Sequence, residues 1–357
     1  MPQLYSRFSF YGDKDRFSKI WCFLHTIVEK PTLASLVKHL DVQGLRYDVA
    51  VEPFLKGSKM CIRMRELETF YALGYRAGYI DSELAHALLI NDPMPFVILL
   101  ISLVPKLLSF RLSHAEDRYM SAICKYRWRV RDRDVKKGRN SRLDSMLSRQ
   151  GFFQDLSEAT FFCSPRTTRW LIPVGIGCAN ELYLLPALQK LSLMGVDIET
   201  TDIPDDPRAR GISNITSLIL VLAMYEEDLE EGKLTSFLQL PKALVSLTLT
   251  LWQCHDDYDL WYNYPIGNCR LLEVLSQHKH SLEYLDLHHA ASGPMTCGCR
   301  PRRGMSPLND FEQLHTLRIG PDTLIGCRPD MYEVRLAETL PKHLRSLTFY
   351  KNWEFNE

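Results

Sequence analysis

Apolar residues return along this chain in one nine-residue arrangement, Leu-Pro-x-Leu-x-x-Leu-x-Leu and close variants. It reads Leu185-Pro186-Ala187-Leu188-Gln189-Lys190-Leu191-Ser192-Leu193. It returns as Leu240-Pro241-Lys242 followed by Leu244, Leu247 and Leu249, and as Leu340-Pro341-Lys342 followed by Leu344, Leu347 and Phe349. The last part of each unit alternates apolar and polar residues, which predicts a strand with its leucines in a core. The alternate positions then face outward: Lys190, Ser192 and Met194; Ser217, Ile219 and Val221; Ser246, Thr248 and Thr250; Tyr284, Asp286 and His288; Thr316 and Arg318; Ser346, Thr348 and Tyr350. Between the strands, apolar residues at three-to-four spacing predict helices over Leu222–Glu231 with Leu234–Leu240, over Arg270–Gln277 and over Met331–Leu340. Leu-Pro stops each helix, because proline disfavours helix at the residue before it.

One strand and one helix cannot bury their apolar faces alone, so a recurring unit predicts a stacked array. The central leucines Leu191, Leu218, Leu247, Leu285, Leu317 and Leu347 lie 27 to 38 residues apart. This is at or above the long end of the roughly 20–29 residues of a leucine-rich repeat. The expected fold is therefore an α/β leucine-rich-repeat solenoid, a curved parallel sheet with helices on its outer face and right-handed crossovers. Earlier in the chain the pattern is looser. Leu36, Leu40 and Val42 make one strand unit, and Val104–Leu112 matches the later template. Leu156, Ala159 and Phe161 make another, with helices over Glu66–Tyr79 and Ser82–Ile90. The count is seven to nine units. Residues 1–35 are expected to form a capping lead-in and 36–357 the array, interrupted by a basic insertion at about 125–150.

Composition adds constraints. The chain has 357 residues, 43 basic against 43 acidic, so no global charge attracts nucleic acid or an anionic membrane. The ten cysteines are irregularly spaced and the N-terminus lacks the apolar run of a signal peptide. Free thiols in a reducing cytoplasmic or nuclear compartment are expected. The longest apolar run, Phe96–Val104, is nine residues where a membrane helix needs about 20, so it reads as a buried helix of the array.

The segment "LYSRFSFYGDKDRFSKIWCFLHTIVEKPTLASLVKHLDV" (4–42) resembles the region following the F-box in fungal F-box/leucine-rich-repeat proteins. There the pattern is "FLRTL-x-E-x-P-x-LA-x-LV-x-x-LDL". The residues carrying the likeness are Phe23, Leu24, Thr26, Ile27, Glu29, Pro31, Leu33, Ala34, Leu36, Val37, Leu40, Asp41 and Val42. The resemblance implies a non-enzymatic protein whose repeats capture a target for a cullin-RING ubiquitin ligase. The helical F-box, beginning near Leu-Pro-x-Glu, does not occur before Leu4. Binding of the Skp adaptor is thus expected only if an F-box lies upstream of Met1, and a ligase-independent scaffold is the alternative.

Other motifs have plainer readings. Lys125–Arg142 holds nine basic residues with Tyr126 and Trp128, which suits a nucleic-acid patch. Asp132 and Asp134 interrupt it, and a solvated insertion in a neutral chain is the expected reading. Cys297-Gly298-Cys299 with His288 and His289 has the ligand types of zinc but not the usual spacing of paired cysteines, so no metal and no cofactor are expected. Glu226, Glu227, Asp228, Glu230 and Glu231 fan around a helix toward water. "GIGCANE" (175–181) lacks the third glycine of a dinucleotide loop and reads as a turn. His255-Asp256-Asp257 supports only a remote hydrolase reading, because no nucleophile elbow accompanies it. Tyr258, Trp261, Tyr262 and Tyr264 form an aromatic loop suited to core or partner contact.

The expected partner-binding residues are Trp252, Tyr284, Asp286, His288, Arg318 and Tyr350, on or beside the outward ladder. Their target is an unidentified protein. Neither catalysis nor membrane insertion is expected.

Overall fold

The computed structural model describes residues 5–11, 18–44, 94–113, 153–162, 174–175, 182–197, 210–224, 231–253, 268–290, 307–325 and 336–350. The fold class is α/β, and every strand pairing described is parallel. The chain divides into two compact units, Met1–Phe162 with Leu185–Ala187, and Cys163–Leu184 with Leu188–Glu357.

The first unit opens with strand β1 (Arg7–Tyr11), then helices α1 (Ser18–Glu29) and α2 (Pro31–Ala34), and returns to strand β2 (His39–Gln43). Helix α3 (Met94–Leu103) leads to β3 (Ser109–Ser113), and β4 (Glu158–Phe162) completes the described part. The strands pair in the order β1-β2-β3-β4. Residues 7–34 thus supply a strand and two helices, with the strand paired to β2 in register. Along α1, Ile20, Trp21, Leu24 and Ile27 are buried, one face of a 3.6-residue period. In α3, six successive residues from Phe96 to Ile101 are buried, so the apolar run is a helix enclosed on all sides. Trp21 meets Phe96 edge-on at 5.5 Å, and Phe23 stacks on Phe8 at 4.1 Å. The first contact joins α1 to α3, and the second holds α1 against β1.

The second unit contains β5 (Val174–Gly175), β6 (Lys190–Asp197), β7 (Ser217–Met224), helix α4 (Glu231–Gln239) and β8 (Ser246–Gln253). Helix α5 (Asn268–Leu275) continues into a 3₁₀ turn (Ser276–His278) before β9 (Tyr284–Ala290). Then come β10 (Thr316–Ile319), α6 (Pro321–Ile325), α7 (Leu336–Thr339) and β11 (Ser346–Phe349). Strands β6 to β11 pair in chain order, with β5 added on β6. The six central leucines stand opposite one another, Leu191↔Leu218↔Leu247↔Leu285↔Leu317↔Leu347. All are buried except Leu347, on the edge strand, which is 36% exposed.

A repeated hydrogen-bond stitch sets this register. At the start of a strand, two successive N–H groups donate to one carbonyl of the preceding strand's leader. Thr216 and Ser217 donate to Gln189, Val245 and Ser246 to Thr216, and Glu283 and Tyr284 to Val245. His315 and Thr316 donate to Glu283, and Arg345 and Ser346 to His315. The first unit uses the same device, with Lys38 and His39 on Ser6, and Leu108 and Ser109 on Lys38. Because side chains alternate with a period of two, a one-residue slip would turn the leucines to water. The stitch and the leucines therefore enforce the same alignment.

Several expected boundaries need correction. Leu222 is in β7, not in a helix, because β7 extends to Met224 between β6 and β8 and Leu222 pairs with both Val196 and Leu251. The described helix there is Glu231–Gln239, ending directly before Leu240-Pro241, and residues 225–230 lie outside the described part. Gly175 is not in a turn: it ends β5 and pairs with Asp197. Gly195, with φ of 71°, sits where the β6–β7 register shifts between Met194 and Val196. Glycine adopts that backbone without the Cβ clash of other residues, so it accommodates a bulge. The expected helices over Glu66–Tyr79 and Ser82–Ile90, and the segment 331–335, lie outside the described residues.

Candidate functional site

The outward residues of the second unit form rows across the strands. One row is Ser192, Ile219, Thr248, Asp286, Arg318 and Thr348, each paired with its neighbour. The next runs through Met194, Val221, Thr250 and His288. Leucines alternate with them into the core, so these side chains are held by the sheet backbone.

Asp286 is the hub of this face. It is 4% exposed, and an isolated buried carboxylate would be costly unless paired and hydrogen-bonded. It is fully engaged. Tyr284 Oη donates to Oδ2 at 3.0 Å, Tyr350 Oη donates to Oδ1, and Arg318 Nη1 lies 3.1 Å from Oδ2. The Arg318 guanidinium also lies 5.5 Å from the Tyr350 ring centroid. His288 packs against the same ring at 4.4 Å. Hydrogen bonding to Tyr284 and the Asp286 charge raise the Arg318 pKa above its ordinary value. Burial, then the hydrogen bond to Asp286, raises the Tyr350 phenol. Two tyrosine hydroxyls and one guanidinium thus converge on a single buried carboxylate.

Five of the six expected contact residues thus meet in one cluster: Tyr284, Asp286 and His288 from β9, Arg318 from β10, and Tyr350 just after β11. Their roles differ. Asp286 is too buried to meet a partner directly; it positions the others. The Arg318 side chain is 42% exposed, and Tyr284, His288 and Tyr350 are half-buried beside it. Trp252 lies in β8 in register with Ala223 and Ala290, and its side chain is outside the described part.

The first unit carries a related arrangement that the sequence reading did not single out. Asp41, also buried, accepts from Tyr11 Oη at 3.2 Å and from Gln43 Nε2 at 2.8 Å. Arg7 Nη2 lies 3.8 Å from it, with that side chain 64% exposed. The signal was present: Leu40-Asp41-Val42 and Leu285-Asp286-Leu287 put an aspartate between two core residues of a strand. Tyr11 and Tyr350 could not be read as partners because they lie 30 and 64 residues away in sequence.

Other chemistry is not assembled. Among the described residues no group of three His, Cys, Asp or Glu side chains could hold a metal ion. His255, Asp256 and Asp257, Cys297 and Cys299, the basic run Lys125–Arg142 and the aromatic loop 258–264 lie outside the described residues. Among the described residues, no helix is long and apolar enough to cross a membrane. Compared with models of known protein families and with curated proteins, the sequence matches none.

Proposed function

We propose that this protein is a leucine-rich-repeat interaction module whose outward sheet face captures a partner protein, with no bond made or broken. One observation carries the reading: equivalent leucines stand in parallel register, leaving a row of mostly half-buried polar and aromatic side chains on the other face. A sheet of this kind presents side chains in fixed positions, which lowers the ordering cost of binding. Tyrosine and arginine, the residue types at its centre, are among those that dominate interface energetics. The biological role proposed is that of the substrate-recognition part of an F-box protein in a cullin-RING ubiquitin ligase, on the strength of residues 23–42.

The test is affinity capture from cell lysate with the full chain and with an Arg318→Ala, Tyr284→Phe double variant. A partner captured by the wild type should be lost or reduced at least tenfold with the variant. An unchanged set of captured proteins refutes the assignment of this face. Co-purification of the Skp adaptor supports the ligase role, and its absence leaves a scaffold.

A further inference from the structure

We infer that the second unit's outward face recognises an extended acidic segment, with an apolar residue of the partner seated on β6–β7 and a carboxylate seated on Arg318. This rests on the proposed binding role of that face and names its partner's chemistry.

Charge distribution carries the acidic half. Among the described outward residues of the unit, the cations that reach solvent are Lys190 and the Arg318 side chain. The single carboxylate of those rows, Asp286, is buried beneath two tyrosines and Arg318. Glu283, just ahead of β9, is faced by His315 at 3.4 Å. Arg318 Nη1 lies 3.1 Å from Asp286 Oδ2, and a guanidinium has five N–H donors in a fork. Even with a hydrogen bond to Tyr284, donors of that fork remain for an incoming carboxylate. The Tyr350 ring and Asp286 hold the fork in place, so less side-chain entropy is lost when it binds.

The apolar half lies three strands away. Met194, Ile219 and Val221 occupy outward positions and are half-buried, whereas the corresponding positions on β8 are Thr248 and Thr250. From β7 to β10 there are three strand spacings of about 4.8 Å, or about 14 Å. The two rows lie about 7 Å apart along the strands. That strip matches an extended chain better than a helix of about 10 Å diameter. At about 3.3 Å per residue, the apolar and acidic side chains of the partner would be about four positions apart.

The test uses fluorescein-labelled ten-residue peptides built on a Gly-Ser background. Each carries one leucine and one glutamate, separated by two to eight positions in either order, and binding to the full chain is read by anisotropy. The tightest binding should occur at a separation of three to five. Glutamate to glutamine in that peptide, or Arg318→Gln in the protein, should weaken it about tenfold, and Ile219→Thr several-fold. Applied together, the two charge changes should do little more than either alone. Affinity independent of separation, insensitivity to glutamate replacement, or no binding at millimolar peptide overturns the inference. If lysate capture depends on Arg318 and Tyr284 while the peptides fail, the recognition chemistry is wrong and the binding face still stands.

Discussion

His278 is the point at which one protonation event should be read out as stability. It is 1% exposed, in the 3₁₀ turn before β9. Its Nδ1 accepts from the Leu244 backbone N–H at 3.3 Å, which requires that nitrogen to be unprotonated. Its Nε2 therefore carries the proton and donates to the Leu238 carbonyl at 3.1 Å. The Gln277 side-chain amide lies beside both groups, its Nε2 2.9 Å from that carbonyl and 2.8 Å from His278 Nε2. The imidazole thus ties the end of α4 to the approach of β8. Replacing it by leucine leaves Leu238 served by Gln277 but strands a buried N–H on Leu244. An orphaned buried donor costs about 1–3 kcal/mol, and the gain from burying leucine offsets part of it, for a net loss of about 1 kcal/mol. His278→Asn, whose Oδ1 can replace Nδ1 as acceptor, should lose about half as much.

The pH dependence follows from the same geometry. Burial lowers the folded-state pKa of His278, opposed in part by the hydrogen bond to Leu238. In the unfolded chain the imidazole titrates near 6.5. Below that pH the unfolded state binds more protons than the folded one, so stability falls with acidification until the folded-state pKa is reached. The slope from this one group is at most about 1.4 kcal/mol per pH unit. Urea denaturation followed by circular dichroism at pH 7.5 and 5.5 should show a steeper loss for wild type than for either variant. Equal pH dependence in all three proteins, or a leucine variant as stable as wild type at pH 7.5, would refute the reasoning.

Leu285→Ala should cost about 3 kcal/mol in the same urea assay, whereas Leu347→Ala, at the equivalent position of the exposed edge strand, should cost under about 1 kcal/mol; equal losses would show that the edge is covered in solution. Tyr183 is fully buried against Phe237 with a hydroxyl that has no partner among the described residues, and burial raises its pKa. Tyr183→Phe should therefore raise the urea midpoint, by about 1 kcal/mol in stability, and a loss would reveal a hidden partner. Gly195→Ala places a Cβ at φ of 71° and should destabilise by about 1 kcal/mol, detectable as a lower melting temperature.

Which parts of the architecture were legible depended on whether their signal was local. The alternation in Ser246–Gln253 and the leucine spacing identify strands because burial of one face is written every second residue. Phe96–Ile101 read correctly as an enclosed helix because its apolar run is unbroken. Leu222 misled because Ser217–Met224 satisfies both a helical and an alternating pattern, and only pairing on both sides decided between them. The contact residues on β9 and β10 were visible as outward polar positions. Their convergence on a shared carboxylate was not, because Tyr350 lies 64 residues from Asp286 and reaches it only once β10 and β11 have stacked.

By itself, the sequence determined the period, the inward leucines and the identity of the polar side chains opposite them, since each is encoded within a few consecutive residues. Tertiary structure decided the rest. It buried Asp286 and left Arg318 in solvent, shared one carbonyl between two N–H groups at successive strand starts, and held His278 between α4 and β8. Those outcomes depend on distances between residues tens of positions apart, which hydrophobic burial and parallel hydrogen bonding set only when the strands are paired.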